Sequence, residues 1–343
     1  MIARRCVFVC ALVFLLGVCA LPSHAQAQAP LPKGCIGTTL WYFPDPIPFG
    51  WWITPGINIG QGPYSYYIST YVCDPPSPPG ASCPACGAPI SLSTGNTYIV
   101  QQDLKIPGLG GGLSLSRTWN SQWPPSVSTF QNGAFGASWR STYEERFVMG
   151  LDNFIKYIRS DGSVWSFKGG GGTAGWVVAA PASQQATLNT DTSVNPYYVL
   201  TFQNGEQRRF DKNTGNLIAI IDRNGNTTTV GYDSSGRLST VTDPVSRQLT
   251  FTYGGTNNFV TTVTSSVGIS LSYSYDTQGR LIQVTKQDGT TLNFAYNSQS
   301  LITSVTDSNG KVLESHTYDS SNRGLTSAKA GGVESLTISY PNP

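Results

Sequence analysis

Toward the C-terminal end of the chain, apolar and polar positions alternate in short runs: Leu249-Thr250-Phe251-Thr252-Tyr253, Leu271-Ser272-Tyr273-Ser274-Tyr275 and Leu292-Asn293-Phe294-Ala295-Tyr296. A period of two predicts strands with one buried face and one wet face. Each run leads into a turn such as Asp233-Ser234-Ser235-Gly236 or Asp276-Thr277-Gln278-Gly279. A second strand follows, as in Arg280-Leu281-Ile282-Gln283-Val284-Thr285. A further turn closes the unit at Asn224-Gly225, Asp288-Gly289 or Asn309-Gly310, pairs that accept positive φ. In the second strand Leu and Val stand three apart, which calls for a bulge or for burial on both faces. The aromatic that heads each unit recurs at Phe210, Tyr232, Tyr253, Tyr275, Tyr296 and Tyr318, with Tyr340 opening a seventh, at intervals of 21 or 22 residues. A fixed period of that size predicts stacked supersecondary units, here a continuous antiparallel meander of hairpins.

Upstream the text is different. Between Pro89 and about Leu200, short β-like runs are broken by glycine, and Asp161-Gly162 separates 154–158 from 164–167 as a hairpin turn does. Asn204-Gly205 plays the same part before the first repeat. The glycine runs 108–112 and 169–172 lack the lysine and following helix of a phosphate loop. At the start, Arg4 and Arg5 precede an apolar run from Cys6 to Leu21, and Ser23-His24-Ala25 offers a cleavage site. That pattern predicts a secretory signal over 1–25, too short for a spanning helix. Val18 before Cys19 argues against a lipoprotein site. The expected organisation is therefore a signal at 1–25, a Cys/Pro/aromatic-rich segment at 26–88, a β domain at 89–203 and repeats at 204–343.

Charge changes the picture little. Lys and Arg number 21 against 19 Asp and Glu, and setting aside Arg4 and Arg5 evens the balance. No nucleic-acid or anionic-membrane partner is implied. Outside the signal, four cysteines remain, Cys35, Cys73, Cys83 and Cys86. In an exported chain they read as two disulfides with three open pairings. The Cys83-Pro84-Ala85-Cys86 spacing also suits a redox pair or half a zinc site, but the surrounding Pro and Ser do not suit a thioredoxin-like setting. Trp41, Trp51, Trp52 and Tyr64 to Tyr71 crowd the 26–88 segment. They suit either the core of a small stapled region or a patch that stacks on sugars.

The sequence Tyr-Asp-x-x-Gly-Arg-Leu-x-x-Val-Thr, present at 232–242 and 275–285, resembles the YD repeat of RHS proteins, and Tyr318-Asp319-Ser320-Ser321-Asn322-Arg323 is a degenerate copy. Residues 90–96, Asp103-Leu104, 115–121 and 136–140 resemble the domain that introduces those repeats in bacterial secreted proteins. The resemblance covers about 89–343 and implies a hollow β shell, which in the family often encloses a C-terminal toxin. Within this sequence no toxin domain is expected after the repeats. Twelve repeat strands at ~4.8 Å make roughly 60 Å of sheet, whereas enclosing a cargo of about 100 residues takes a circumference of order 150 Å. The expected fold is all-β: an open segment of a YD-repeat shell preceded by a β-rich domain.

Candidate chemistry is thin, and no catalytic, cofactor or metal residue is expected. His24 falls in the signal, which leaves His316, two positions before Tyr318, where sister repeats carry Phe251, Tyr273 and Phe294. It reads as a packed wall residue. Asp222-Arg223-Asn224-Gly225-Asn226 opens like a calcium loop but has no glutamate at the twelfth position. Glu144 and Glu145 are adjacent, and on a strand would face opposite ways. The recurring Tyr232, Asp233, Gly236, Arg237, Tyr253, Tyr275, Asp276, Gly279, Arg280, Tyr296, Tyr318 and Asp319 are expected to be structural. The function expected is a non-enzymatic exported scaffold that contacts protein or glycan at a cell surface, with an open sheet edge available for self-association. A carbohydrate-binding surface protein is the alternative.

Overall fold

The computed structural model describes residues 89–91, 94–123, 125–149, 154–169, 176–180, 184–191 and 196–340, with the strand pair 35–36 and 72–73. The chain divides into two units, and the first, Met1–Lys33 with Gly37–Thr70, lies outside the described residues. The expected signal and aromatic patch, Cys83 and Cys86 lie outside them too. In the second unit β1 (Cys35–Ile36) pairs antiparallel with β2 (Val72–Cys73), and Cys35 stands opposite Cys73 in the backbone register.

A three-stranded sheet follows: β3 (Tyr98–Ile106), β4 (Leu113–Asn120) and β5 (Trp139–Ser141), with β4 in the middle. Leu113, Leu115 and Trp119 are all buried, as are Arg117 and Thr118 between them, so this sheet is covered on both faces.

Every later strand joins one antiparallel wall. It begins with β6 (Arg146–Met149), β7 (Ile155–Ile158), β8 (Val164–Gly169), β9 (Trp176–Ala180), β10 (Ala186–Asp191) and β11 (Tyr197–Phe202). The repeats continue it as β12 (Gln207–Asp211), β13 (Leu217–Ile221), β14 (Thr227–Tyr232), β15 (Leu238–Thr242), β16 (Gln248–Gly254) and β17 (Phe259–Ser265). They end with β18 (Ser270–Tyr275), β19 (Leu281–Thr285), β20 (Thr291–Tyr296), β21 (Ile302–Asp307), β22 (Val312–Tyr318), β23 (Gly324–Lys329) and β24 (Leu336–Thr337). Each strand pairs with its sequence neighbour, so the wall is a pure meander. It starts about sixty residues before the first repeat, a width that the aromatic period alone does not reveal.

The wall touches itself once more near its start. Phe147 N–H donates to Gly215 O at 2.8 Å, Leu217 N–H donates to Glu145 O at 3.2 Å, and Arg146 bridges Asn216. This contact bends the first eight strands back on themselves. Gly215 makes it, with φ of 72° and no room for a Cβ, which would stand 1.9 Å from Phe147 O. No ladder joins β24 to β6 among the described residues, so the repeat array stays open at its far edge.

The irregular spacing in the second strands is a bulge. Gly231 faces Thr240 while Tyr232 faces Leu238, leaving Ser239 as the extra residue. The same slip recurs before Phe210, Tyr253, Tyr275, Tyr296 and Tyr318. Because one residue is absorbed, Leu238 and Val241 both turn inward, as do Leu281 with Val284 and Ile302 with Val305. The wall's inner face and the small sheet share one hydrophobic core, so β3–β5 and the loop before β5 form a plug seated against the wall. Among the described residues helical structure is confined to three short 3-10 turns, and no helix is long and apolar enough to cross a membrane.

Candidate functional site

Aspartate opens the repeat turn because its short carboxylate can cap its own backbone. Asp233 Oδ1 accepts from Ser235 N at 2.9 Å and Arg237 N at 3.0 Å, and its backbone carbonyl accepts from Gly236 N. Oδ2 takes Arg237 Nε at 2.7 Å. The hydrogen bond from Arg237 is the main reason the Asp233 carboxyl sits below the usual carboxylate range. Asp276 with Arg280 and Asp319 with Arg323 repeat this geometry. The residue three after the aspartate has positive φ at Gly236, at Gly279 and, in the degenerate copy, at Asn322.

The arginine then reaches the next unit. Arg237 lies over the Tyr253 ring at 4.4 Å, Arg280 over Tyr296 at 5.0 Å and Arg323 over Tyr340 at 4.0 Å. Each tyrosine hydroxyl reaches back to a carbonyl of the preceding unit. Tyr232 donates to Leu217 O, Tyr253 to Leu238 O, Tyr275 to Val260 O, Tyr296 to Leu281 O and Tyr318 to Ile302 O, all at 2.6–2.8 Å. Burial pushes the Tyr296 hydroxyl up to about 12 and holds the others well above their ordinary value. Phe210 has no hydroxyl and packs on Phe147 instead, with centroids 4.6 Å apart.

Positions two before Tyr253, Tyr275 and Tyr296 receive the plug. Phe135 stands edge-on to Tyr273 at 4.8 Å, and Trp139 to Phe294 at 5.2 Å. A buried polar triad sits in the same place: Arg117 forks onto Asp103 at 2.5 and 2.8 Å, and Tyr273 OH donates to Asp103 at 2.8 Å. Burial alone lowers the Arg117 pKa, but the Asp103 charge and hydrogen bonds outweigh it and hold the guanidinium charged. His316 takes the corresponding place one repeat after Phe294. It is buried, its ring nitrogens have no hydrogen-bond partner among the described residues, and Glu314 lies 3.5 Å away.

The remaining candidates are dispersed. Glu144 and Glu145 stand in the loop between β5 and β6 rather than on a strand, and they part all the same. Glu144 caps the amides of Ala134 and Ser141, whereas Glu145 accepts from Tyr157 OH at 2.6 Å and pairs with Arg208 at 3.3 Å. Asp222 caps its own hairpin through the amides of Asn224 and Asn226. Among the described residues no group of three or more His, Cys, Asp or Glu could hold a metal ion. Sequence reasoning missed two features. Asp243 and Arg247 form the same capped turn outside the Tyr-Asp motif, signalled only by their spacing of four. The Asp103–Arg117–Tyr273 triad spans 170 residues and left no local signal.

These features define a class: an all-β protein in which repeated hairpins, locked by Asp–Arg turns and tyrosine hydroxyls, wall in a plug from the same chain. A family model described as Teneurin YD-shell matches residues 154–332, about half of the chain, and the chain belongs to that family. A second model, a domain of unknown function called DUF6531, matches residues 87–167. The match agrees with the resemblance to RHS/YD-repeat proteins. Among curated relatives, the tRNA nuclease WapA of Bacillus subtilis and the tRNA3(Ser)-specific nuclease WapA of Bacillus spizizenii are each 30% identical over 153 residues. That stretch is 43% of this chain, and the chain spans only 6% of those proteins' length. Among solved structures, TcdB2-TccC3 without its hypervariable C-terminal region aligns over 69% of this chain and 12% of that one, at 17% identity and a TM-score of 0.27. A Tc holotoxin pore from Photorhabdus luminescens gives the same figures.

Proposed function

We propose that this chain is a non-enzymatic, exported scaffold that forms the plugged portion of a YD-repeat shell, in a system that carries a toxin or contacts other cell surfaces. One observation carries the reading: the repeat's Asp, Arg and Tyr side chains are engaged in capping turns and tying units together. The inner face they support is occupied by the chain's own plug. Side chains used in this way are not free for acid-base or nucleophilic work. The nuclease named in the WapA relatives belongs to proteins of which this chain matches a small part. The test is direct. Purified protein is incubated with tRNA and with general ester, peptide and glycoside substrates, and the scaffold reading expects no turnover above a buffer blank. Turnover that disappears on replacing one side chain, His316 or Glu145 first, would overturn it.

A further inference from the structure

A cleft of about 350 Å3 lies between the plug and the wall, bordered by Phe130, Arg140 and Glu144 and by the wall residues Arg146, Tyr232 and Tyr253. Its charges do not balance. Arg140 is 3% exposed, donates through Nη1 to Glu144 O at 2.8 Å and through Nη2 to Phe130 O, and lies over the Trp123 ring at 5.1 Å. Arg146 donates through Nη2 to Thr214 O at 3.0 Å and lies over Phe130 at 4.8 Å. All three of those acceptors are neutral carbonyls, and the Nε atoms of both arginines are shielded from solvent with no acceptor among the described residues. The two guanidiniums share one nearby carboxylate, Glu144, whose oxygens are taken by the amides of Ala134 and Ser141. The other charges at the cleft have partners elsewhere: Arg237 pairs with Asp233, and Glu145 with Arg208, which also pairs with Glu206. Next to each other, Arg140 and Arg146 set two positive charges against the single negative charge of Glu144, beside aromatic rings, where an ion short of counter-charge is costly.

We infer that this cleft is an oxyanion site, in which a carboxylate or phosphate group bonds to Arg140 and Arg146 and supplies the missing counter-charge. Planar guanidiniums with free N–H groups match such an anion in shape and charge. Burial, with a further contribution from the Arg146 charge, brings the Arg140 pKa down to about 10 despite Glu144, and a bound anion would reverse that penalty. The site is built by Arg140 and Arg146 at the plug–wall seam, so its occupant would also strengthen that seam.

The full chain is titrated with inorganic phosphate and, separately, with acetate, at ionic strength held constant by exchange against sodium chloride. Binding is read by calorimetry and by the thermal midpoint. Saturable binding of at least one anion is expected, and the stronger of the two identifies the group preferred. Arg146→Gln should weaken it about tenfold, the loss expected from one charge-assisted hydrogen bond, while Arg209→Gln, away from the cleft, should leave it intact. If Arg146→Gln does not fold, Arg146→Lys is read instead and should weaken binding by losing the planar fork. No saturable response to either anion, or unchanged affinity in the Arg146 variant, would overturn the inference.

Discussion

A tyrosine placed just after a bulge can do two things at once: pack its ring between units and spend its hydroxyl on the neighbour's backbone. Tyr275 does so with Val260 O at 2.7 Å, and Val260 N–H in turn donates to the plug at Ala134 O. Tyr275→Phe keeps the ring and orphans that carbonyl, so it should lower unfolding stability by about 1–3 kcal/mol in urea denaturation. An unchanged midpoint would contradict the staple. The same hydroxyls make the molecule sensitive to base. Because burial raises their pKa above the ordinary 10.0, to about 12 at Tyr296, the folded state holds these protons more tightly than the unfolded chain does. Their contribution is whole below about pH 10 and is lost as pH rises toward the folded values. Tyrosinate absorbance and loss of β circular dichroism should therefore appear together between pH 10 and 12. Tyrosines that titrate near pH 10 while the fold persists would refute this. At this scale the turns were largely legible, since an aspartate cap and a positive φ depend on only four or five residues. Ser246 and Ser300 were not, because they hold positive φ with none of glycine's freedom to announce it.

Between elements, the decisive contacts join plug and wall. Arg117, Asp103 and Tyr273 come from β4, β3 and β18, and the ion pair is fully buried. Removing one partner strands the other charge, so Arg117→Met should cost about 3–5 kcal/mol. Changing Asp103→Leu and Tyr273→Phe along with it should recover most of that loss, as measured by guanidinium denaturation. A triple variant no more stable than Arg117→Met alone would show that the triad's charge balance does not matter. The bulge belongs to this scale as well. A spacing of three between Leu238 and Val241 reads as inconsistent until one residue, Ser239, is seen to drop out of register.

At the scale of the whole wall, an open edge makes a prediction. β24 pairs with β23 at Thr326–Thr337 and Ser327–Leu336 and has no further strand beside it among the described residues. Unpaired edges recruit strands, so the purified protein should self-associate in a concentration-dependent way by light scattering. Introducing a proline at Thr337 should reduce the association, and a monodisperse monomer across the concentration range would remove the edge from consideration.

The repeat period, the hairpin turns and the inward residues of the first strand of each unit follow from alternation and turn chemistry, forces that act within a few residues of chain. They were readable before any coordinates. Distant contacts set the rest. The wall begins at Arg146 because β6 finds the Gly215 turn, and the inner face is filled because Phe135 and Trp139 meet Tyr273 and Phe294 across more than a hundred residues. Such partners are chosen by sheet curvature and by shape complementarity in the packed core, and neither leaves a mark in the local pattern.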